Sequence, residues 1–268
     1  MKAYIINREQ DVDRKNFMLQ QMKSLEIFDY VFFTAIDKNS ITNKATNLSY
    51  SEEQVRNHNL SMSEVCCALS HCKIYDCIIR NEKNGAFIFE DDVLISPLLC
   101  HIATELLSFL QKDIPIIILL TPVHSFCKNP VERIPQPNRI NTLSQNAHKP
   151  FPQLSLHKTI FAFSGAGYMI NKDAAKVMLK LYSPVNTVID RWKKRIDCND
   201  IFIYNLNHYL ISINNYGRKS STLENERQAA EKIRNEKLIP PTLYVRLRQK
   251  YRQYRRKLFP PYGHVETW

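Results

Sequence analysis

Apolar positions along the chain change their period several times, and those changes outline the elements. Lys2 to Ile6 is β-branched and aromatic enough for a buried strand. Asn7 to Asp13 interrupts it, and Phe17, Met18, Gln21, Met22 and Leu25 then share one helical face. Tyr30 to Thr34 reads as a second strand. Strand, helix and strand in succession form a βαβ unit, which implies a parallel sheet. Residues 38 to 60 are polar and irregular, a surface excursion.

Ser61-Met62-Ser63-Glu64 reads as a capping box, and the helix it opens runs to about Arg80 with Val65, Ala68, Leu69, Cys72, Tyr75 and Ile79 on its apolar side. Ala86 to Phe89 is a short buried strand that runs straight into Glu90-Asp91-Asp92. Ile116 to Leu120 predicts another strand. From Thr121 to Lys158 the prolines crowd, which reads as a functional or disordered loop. Order returns at Thr159 to Phe163 and Gly165 to Ile170. Asn171 is placed to N-cap a helix to Tyr182, which Pro184 stops. A further helix is expected over roughly Asn186 to Ile196 and a strand over His208 to Ile213. After Ser220 the chain is helical and charged, jointed at Pro240-Pro241. The expected organisation is an α/β domain over residues 1–219 with a helical basic extension over 220–268.

Composition narrows the chemistry. Only five glycines occur in 268 residues, so G-x-G-x-x-G and the phosphate-cradling P-loop are both absent. A nucleotide phosphate bound here must be neutralised by a metal or by basic side chains. The seven cysteines include no C-x-x-C pair. Cys66, Cys67, Cys72 and Cys77 crowd one predicted helix, where disulfides are geometrically disfavoured. They read as reduced core thiols rather than a metal site. No apolar run approaches the ~20 residues of a membrane span. The opening MKAYIINREQ lacks the apolar stretch of a signal peptide, so a cytoplasmic protein is expected. The net charge of +11 is largely local. Arg246, Arg248, Lys250, Arg252, Arg255, Arg256 and Lys257 lie within one acid-free stretch.

The acidic cluster is the most informative spot. Strand alternation puts Glu90 and Asp92 on one side and Asp91 on the other. Open parallel sheets bind ligands at the carboxyl ends of their strands, where two carboxylates can hold Mn²⁺ or Mg²⁺ through oxygen. The competing reading is a turn in which Asp91 or Asp92 caps the next segment. Arg14, opening the helix after the first strand, is either a uridine or phosphate contact or a solvated first-turn residue. Asp37, after the second strand, is either a nucleotide contact or a turn aspartate. His71, mid-helix beside apolar positions, is either a core histidine or part of the site.

In order along the chain, these motifs resemble glycosyltransferase family 25, the lipooligosaccharide-biosynthesis transferases of Gram-negative bacteria. The family's opening matches Ile5-Ile6-Asn7 and Asp13-Arg14-Lys15. Its Glu, Cys and Ser-His helix matches Glu64, Cys67, Ser70 and His71. Its acidic signature matches Glu90-Asp91-Asp92-Val93, and a later motif matches Gly167-Tyr168-Met169-Ile170-Asn171-Lys172-Asp173-Ala174. The matches span residues 3 to about 215. Two departures stand out. The family's Pro-Val-Asp is here Pro184-Val185-Asn186, and the second arginine of the opening is Lys15, which keeps the charge but loses the bidentate fork.

The resemblance implies a GT-A-like, Rossmann-type mixed sheet flanked by helices, a UDP-sugar donor and inversion at the anomeric carbon. It makes Asp92 the principal ligand of Mn²⁺ or Mg²⁺, with Glu90 as a ribose or metal contact and Asp91 as support in catalysis. Asn7, Arg14, Asp37 and His71 become donor-site candidates, and Asp190 the nearest substitute for a base missing at Asn186. The expected reaction moves a hexose, galactose first, from UDP to a lipooligosaccharide or lipopolysaccharide core. A retaining mechanism, or glucose or an N-acetylhexosamine in galactose's place, fits the same motifs. A nucleic-acid-binding protein is the alternative from another class, suggested by arginines interleaved with Tyr251 and Tyr254. The basicity lies in a tail and no nucleic-acid module is recognisable, so no nucleic-acid partner is expected. The stripe Leu243, Leu247, Tyr251, Tyr254 and Leu258 flanked by basic residues fits an anionic membrane surface instead. It predicts a peripheral protein on the cytoplasmic face of the bacterial inner membrane.

Overall fold

The computed structural model describes residues 2–25, 29–38, 41, 60–82, 84–121, 139–143, 154–158, 164–192, 200–206 and 210–214, with backbone alone for 139–143 and 154–158. The N-terminal βαβ unit forms as its pattern predicts. Strand β1 (Lys2–Asn7) and strand β2 (Asp29–Thr34) run parallel, Lys2 beside Asp29 and Asn7 beside Thr34. Helix α1 (Val12–Leu25) connects them. Helix α2 (Met62–Asn81) starts at the expected capping box: Ser61 Oγ accepts from Glu64 N at 3.2 Å, and Glu64 Oε2 accepts from Ser61 N at 2.8 Å. Strand β3 (Ala86–Glu90) follows, parallel to β1 on the side away from β2.

Strand β4 (Val93–Ile95), helix α3 (Leu98–Leu110), strand β5 (Ile116–Leu119), strand β6 (Arg139–Leu143), strand β7 (Leu154–Lys158) and strand β8 (Gly167–Ile170) come next. Helix α4 (Lys172–Leu181), strand β9 (Phe202–Leu206) and strand β10 (Ile211–Ile213) complete the described elements. The main sheet has the order β2-β1-β3-β8-β5-β9-β7-β6, and β10 pairs with β4 in a small antiparallel sheet. The architecture is thus the expected α/β type, a mixed sheet flanked by helices.

Alternation along the central strands divides the core in two. Ala86 and Ile88 of β3 pack with α2 and α4, in a cluster that includes Leu69, Tyr75, Tyr168, Met178 and Trp192. Phe87 and Phe89 point the other way, toward α1 and α3, with Met18, Met22, Leu99 and Leu106. A strand covered on both faces loses its polar alternation, which is why β3 reads as an unbroken apolar run. Gly85 precedes it at φ 111°, and a Cβ there would overlap the carbonyl oxygen of Ile170.

Three expectations change. The helix expected over roughly Asn186 to Ile196 does not form through Arg191; Trp192 is helical, and residues 193–199 lie outside the described residues. The chain there is irregular, and the Tyr182 hydroxyl donates to the carbonyls of Val188 and Ile189 at 2.9 and 3.0 Å. Buried Val185, Thr187 and Ile189 alternate with less buried neighbours, an extended rather than a helical period. The proline-rich connection contains the antiparallel pair β6–β7. The strand expected over 208–213 forms as the shorter β10, and β9, ending at Leu206, precedes it without having been expected; residues 207–209 lie outside the described residues, as do 159–163 and 215–268. Helix α3 and strand β4 had not been expected, although Leu99, Ile102, Ala103, Leu106 and Leu110 carry the helical period plainly.

Asn171 ties the far end of the sheet together. Its Oδ1 accepts from Ala174 N at 2.9 Å, capping α4, and from Ile116 N at 3.0 Å. Its Nδ2 donates to Ile114 O at 2.7 Å, with Leu110 O at 3.2 Å and Lys112 O at 3.4 Å. Asn171→Ala therefore removes a cap and strands buried backbone groups, for a loss of about 3 kcal/mol in urea denaturation. Asn171→Asp is no rescue, because it sets a carboxylate against three carbonyl oxygens. A loss below ~1 kcal/mol in the alanine variant would contradict this role.

Candidate active site

The carboxyl ends of β1, β2 and β3 lie at one edge of the sheet, since the three strands are parallel. Continuing the alternation of β3 sends Glu90 toward α2 and Asp91 toward α1. Asp91 is buried, 7% exposed. Asn7 Nδ2, from the end of β1, donates to its Oδ2 at 2.8 Å, and Arg14 Nη1, from the first turn of α1, donates to its Oδ1 at 3.0 Å. Asn7 also donates to Asp11 O at 3.2 Å, while Asp11 accepts two bonds from Arg8, at 2.6 and 3.0 Å. The β1–α1 turn is thereby fixed, and Arg14 with it.

Burial pushes the Asp91 carboxyl above its ordinary range, and the bonds from Asn7 and Arg14 pull partly against that. Arg14 Nη1 also stands 3.7 Å from Asp92 Oδ2. Asp92 thus shares a neighbour with Asp91, because the strand ends at Glu90 and the turn after it breaks the alternation. The turn is held from both sides. Asn214 N donates to Asp92 O at 2.7 Å. Gln21 bridges Val93 O at 2.8 Å and Ile95 N at 2.9 Å, standing in for a neighbouring strand.

On the other face Glu90 meets a second group. One ligand atom from each of Cys67, His71 and Glu90 lies within 4.8 Å of the others. His71 is fully buried, and its Nδ1 is 2.7 Å from the Tyr168 hydroxyl, itself 2.7 Å from the Tyr75 hydroxyl. Burial lowers the His71 pKa to about 3, so the ring is neutral. Asp190 flanks this group: a side-chain carbon at Gly165 would lie 3.7 Å from Asp190 Cβ and 3.9 Å from Glu90 Oε1. The Trp192 indole donates to Ser164 O at 3.1 Å and holds that loop in place. Ser164 adopts φ 71°, an uncommon conformation for a residue with a Cβ.

The structure therefore gathers the candidate residues into two sets around one strand end. Asn7, Arg14, Asp91 and Asp92 form the first; Glu90, His71 and Asp190 form the second. Asp37 stands beyond β2 at the same sheet edge, its carbonyl accepting from Ile41 N at 3.3 Å. As hard oxygen donors, Asp92 and Glu90 fit Mn²⁺ or Mg²⁺ by type, although Asp92 has a guanidinium beside it and Glu90 a thiol and an imidazole. Cys67 and Tyr168 were not singled out as site residues. The i, i+4 spacing of Cys67 and His71 is the available signal, whereas the cysteine cluster taken alone reads as core packing.

The sequence model of "Glycosyltransferase family 25 (LPS biosynthesis protein)" matches residues 1–193. A Haemophilus influenzae protein named "Putative glycosyltransferase" is 25% identical over 191 residues, covering 70% of this chain and 60% of that protein. The chain thus spans less than two thirds of that relative's length. Among solved structures, a glycosyltransferase involved in the glycosylation of the major capsid of PBCV-1 aligns with a TM-score of 0.36 and 10% identity, over 86% of this chain and 98% of that one.

The Arg14–Asp91 pair has a pH signature. A carboxyl whose pKa is raised by folding above its ordinary 3.8 favours the folded state when protonated, and that contribution is lost as pH rises through the folded pKa. Arg14→Gln removes the compensating cation and raises that pKa further. The variant should be about 2 kcal/mol less stable than the parent at neutral pH, with the gap closing as the solution is acidified. Denaturant titrations across the acidic range measure it. A gap independent of pH would refute the assignment.

Proposed function

The chain belongs to glycosyltransferase family 25, and from that premise we propose that it transfers a hexose, galactose first among the candidates, from a UDP-sugar to a lipooligosaccharide or lipopolysaccharide core sugar with inversion at the anomeric carbon. The observation that supports this reading is the convergence of Asp91, Asp92 and Glu90 with Asn7 and Arg14 at the carboxyl edge of the sheet, where open α/β sheets take their ligands. With no glycine-rich cradle, charge must be met by side chains. Arg14 pairs with Asp91 and stands close to Asp92, and a guanidinium carries five donors, enough to serve Asp91 and a phosphate oxygen together.

In the proposed reaction the acceptor hydroxyl attacks the anomeric carbon from the face opposite the diphosphate. The new glycosidic C–O bond forms as the bond to the phosphate oxygen breaks and UDP departs. The acceptor proton passes to a carboxylate, for which Asp190, beside Gly165 and Glu90, is the candidate. Glu90 serves as a ribose or metal contact. Mn²⁺ or Mg²⁺ would be held by Asp92 with Glu90 and would neutralise charge on the leaving diphosphate. Asp91, already committed to Asn7 and Arg14, supports the cluster by orienting them.

The basic tail lies outside the described residues, and the domain division at 219/220 with it. Among the described residues no helix is long and apolar enough to cross a membrane. The amphipathic pattern of residues 243–258 supports peripheral attachment to an anionic leaflet, worth about 1 kcal/mol per basic residue near the surface. That would place the enzyme beside a lipid-borne acceptor on the cytoplasmic face of the inner membrane.

Two experiments test this reading. With UDP-galactose, UDP-glucose and UDP-N-acetylhexosamines offered in turn with Mn²⁺, the wild-type chain should release UDP in the presence of a truncated core acceptor. Asp92→Asn should lower that rate ~100-fold or more without changing the unfolding transition. Activity near the parental level in this variant would remove Asp92 from its role. Deleting residues 243–268 should leave UDP binding unchanged and abolish sedimentation with anionic liposomes. Sedimentation that ignores added salt would refute electrostatic attachment.

A further inference from the structure

Cys67 and His71 stand four residues apart on α2, so their side chains leave one helix face a turn apart. That face looks onto the carboxyl end of β3, where Glu90 completes a group whose ligand atoms all lie within 4.8 Å of one another. A second observation separates this group from ordinary packing. His71 has no exposed surface, yet its Nε2 has no hydrogen-bond partner. Leaving such a nitrogen unsatisfied costs on the order of 1–3 kcal/mol. Its other nitrogen is meanwhile firmly held: Nδ1 meets the Tyr168 hydroxyl at 2.7 Å, and the two rings stack at 5.8 Å with 15° between their planes. In the tautomer with the proton on Nδ1, that proton goes to Tyr168, whose hydroxyl in turn can donate to Tyr75, and Nε2 is left with an unpartnered lone pair. Metal-ligating histidines are oriented in this way, one nitrogen on the ion and the other on an outer partner.

We infer that Cys67 Sγ, His71 Nε2 and a Glu90 carboxylate oxygen form a binding site for a borderline-soft divalent cation of the zinc class. Thiolate, imidazole and carboxylate together suit Zn²⁺, whereas Mn²⁺ and Mg²⁺ favour oxygen alone. Three protein ligands leave a fourth tetrahedral position, and the partial exposure of Cys67 and Glu90 gives it an outlet. Binding releases the Cys67 thiol proton to solvent and changes no oxidation state. The ligand atoms must draw in until each lies about 2.0–2.3 Å from the ion, a movement the two partly exposed side chains supply. Glu90 also belongs to the donor site proposed above, so an ion held here withdraws that carboxylate from the nucleotide sugar.

Co²⁺ added to the metal-free full-length chain is the probe. The expected result is a thiolate-to-cobalt charge-transfer band in the near ultraviolet, together with the strong visible bands of a tetrahedral ion. Zn²⁺ should displace these stoichiometrically, and excess Mn²⁺ should not. Cys67→Ser should lose the charge-transfer band while Cys77→Ser keeps it, and Glu90→Gln should weaken Co²⁺ binding ~10-fold or more. Should Cys67→Ser fail to fold, the wild-type chain still decides: Zn²⁺ should slow alkylation of Cys67, read by peptide mass spectrometry, but not of Cys77 or Cys100. Absence of the band, its survival in folded Cys67→Ser, or alkylation of Cys67 indifferent to Zn²⁺ overturns the site. No nucleotide enters these measurements, so their failure leaves the transferase reading standing.

Discussion

Strand β3 is covered on both faces, and most of what surrounds the candidate site follows from that one constraint. Every side chain along it is assigned to one helical layer or the other, Ala86 and Ile88 to α2 and α4, Phe87 and Phe89 to α1 and α3. The assignment does not stop where the apolar residues do. Glu90 and Asp91 inherit it, and so two adjacent carboxylates are sent into different surroundings. Side by side in a half-buried pocket, both could not remain ionised. On opposite faces, Asp91 takes the bonds from Asn7 and Arg14 while Glu90 approaches a thiol and an imidazole. The strand therefore differentiates its acids by geometry before any ligand arrives.

What the sequence disclosed is what depends on short-range pattern. The βαβ unit, the Ser61 capping box and the Asn171 cap follow from period and from residues a few positions apart, and all are present. Helix α3 is legible in the same sense, since its apolar residues keep the helical period. Over residues 186–191 the expected helix gives way to an irregular segment, which the Tyr182 hydroxyl and a run of alternating burial hold open. No local propensity records a hydroxyl from six residues upstream. Tertiary contact decided it.

The candidate site was half legible, for a similar reason. Glu90, Asp91 and Asp92 announce themselves as three acids after an apolar strand. Their division does not, because it turns on where the strand stops. Alternation carried one residue too far predicts Glu90 and Asp92 on a common side, whereas Arg14 reaches both Asp91 and Asp92. Likewise the cysteines of α2 look alike in sequence. Cys72 packs into the core, its thiol pushed up to about 12 by burial, while Cys67, one turn before His71, reaches the end of β3. The difference is rotational position on the helix, which i, i+4 spacing to His71 encodes but composition hides.

The two faces also bear differently on a diphosphate. Asp91 is held by a cation, so part of the negative charge on the α1 face is met before any ligand arrives. An incoming phosphate does not need to meet two bare carboxylates there, because Arg14 shields one of them and stands close to the other. On the α2 face the histidine is kept neutral by burial and supplies no charge. A divalent ion bound there, as proposed above, would add positive charge beside Glu90. The identity of that ion would depend on whether Glu90 turns toward Asp92, an all-oxygen environment, or stays with Cys67 and His71. Under the proposals above, the rotation of one carboxylate at the end of one strand would select between two classes of metal chemistry.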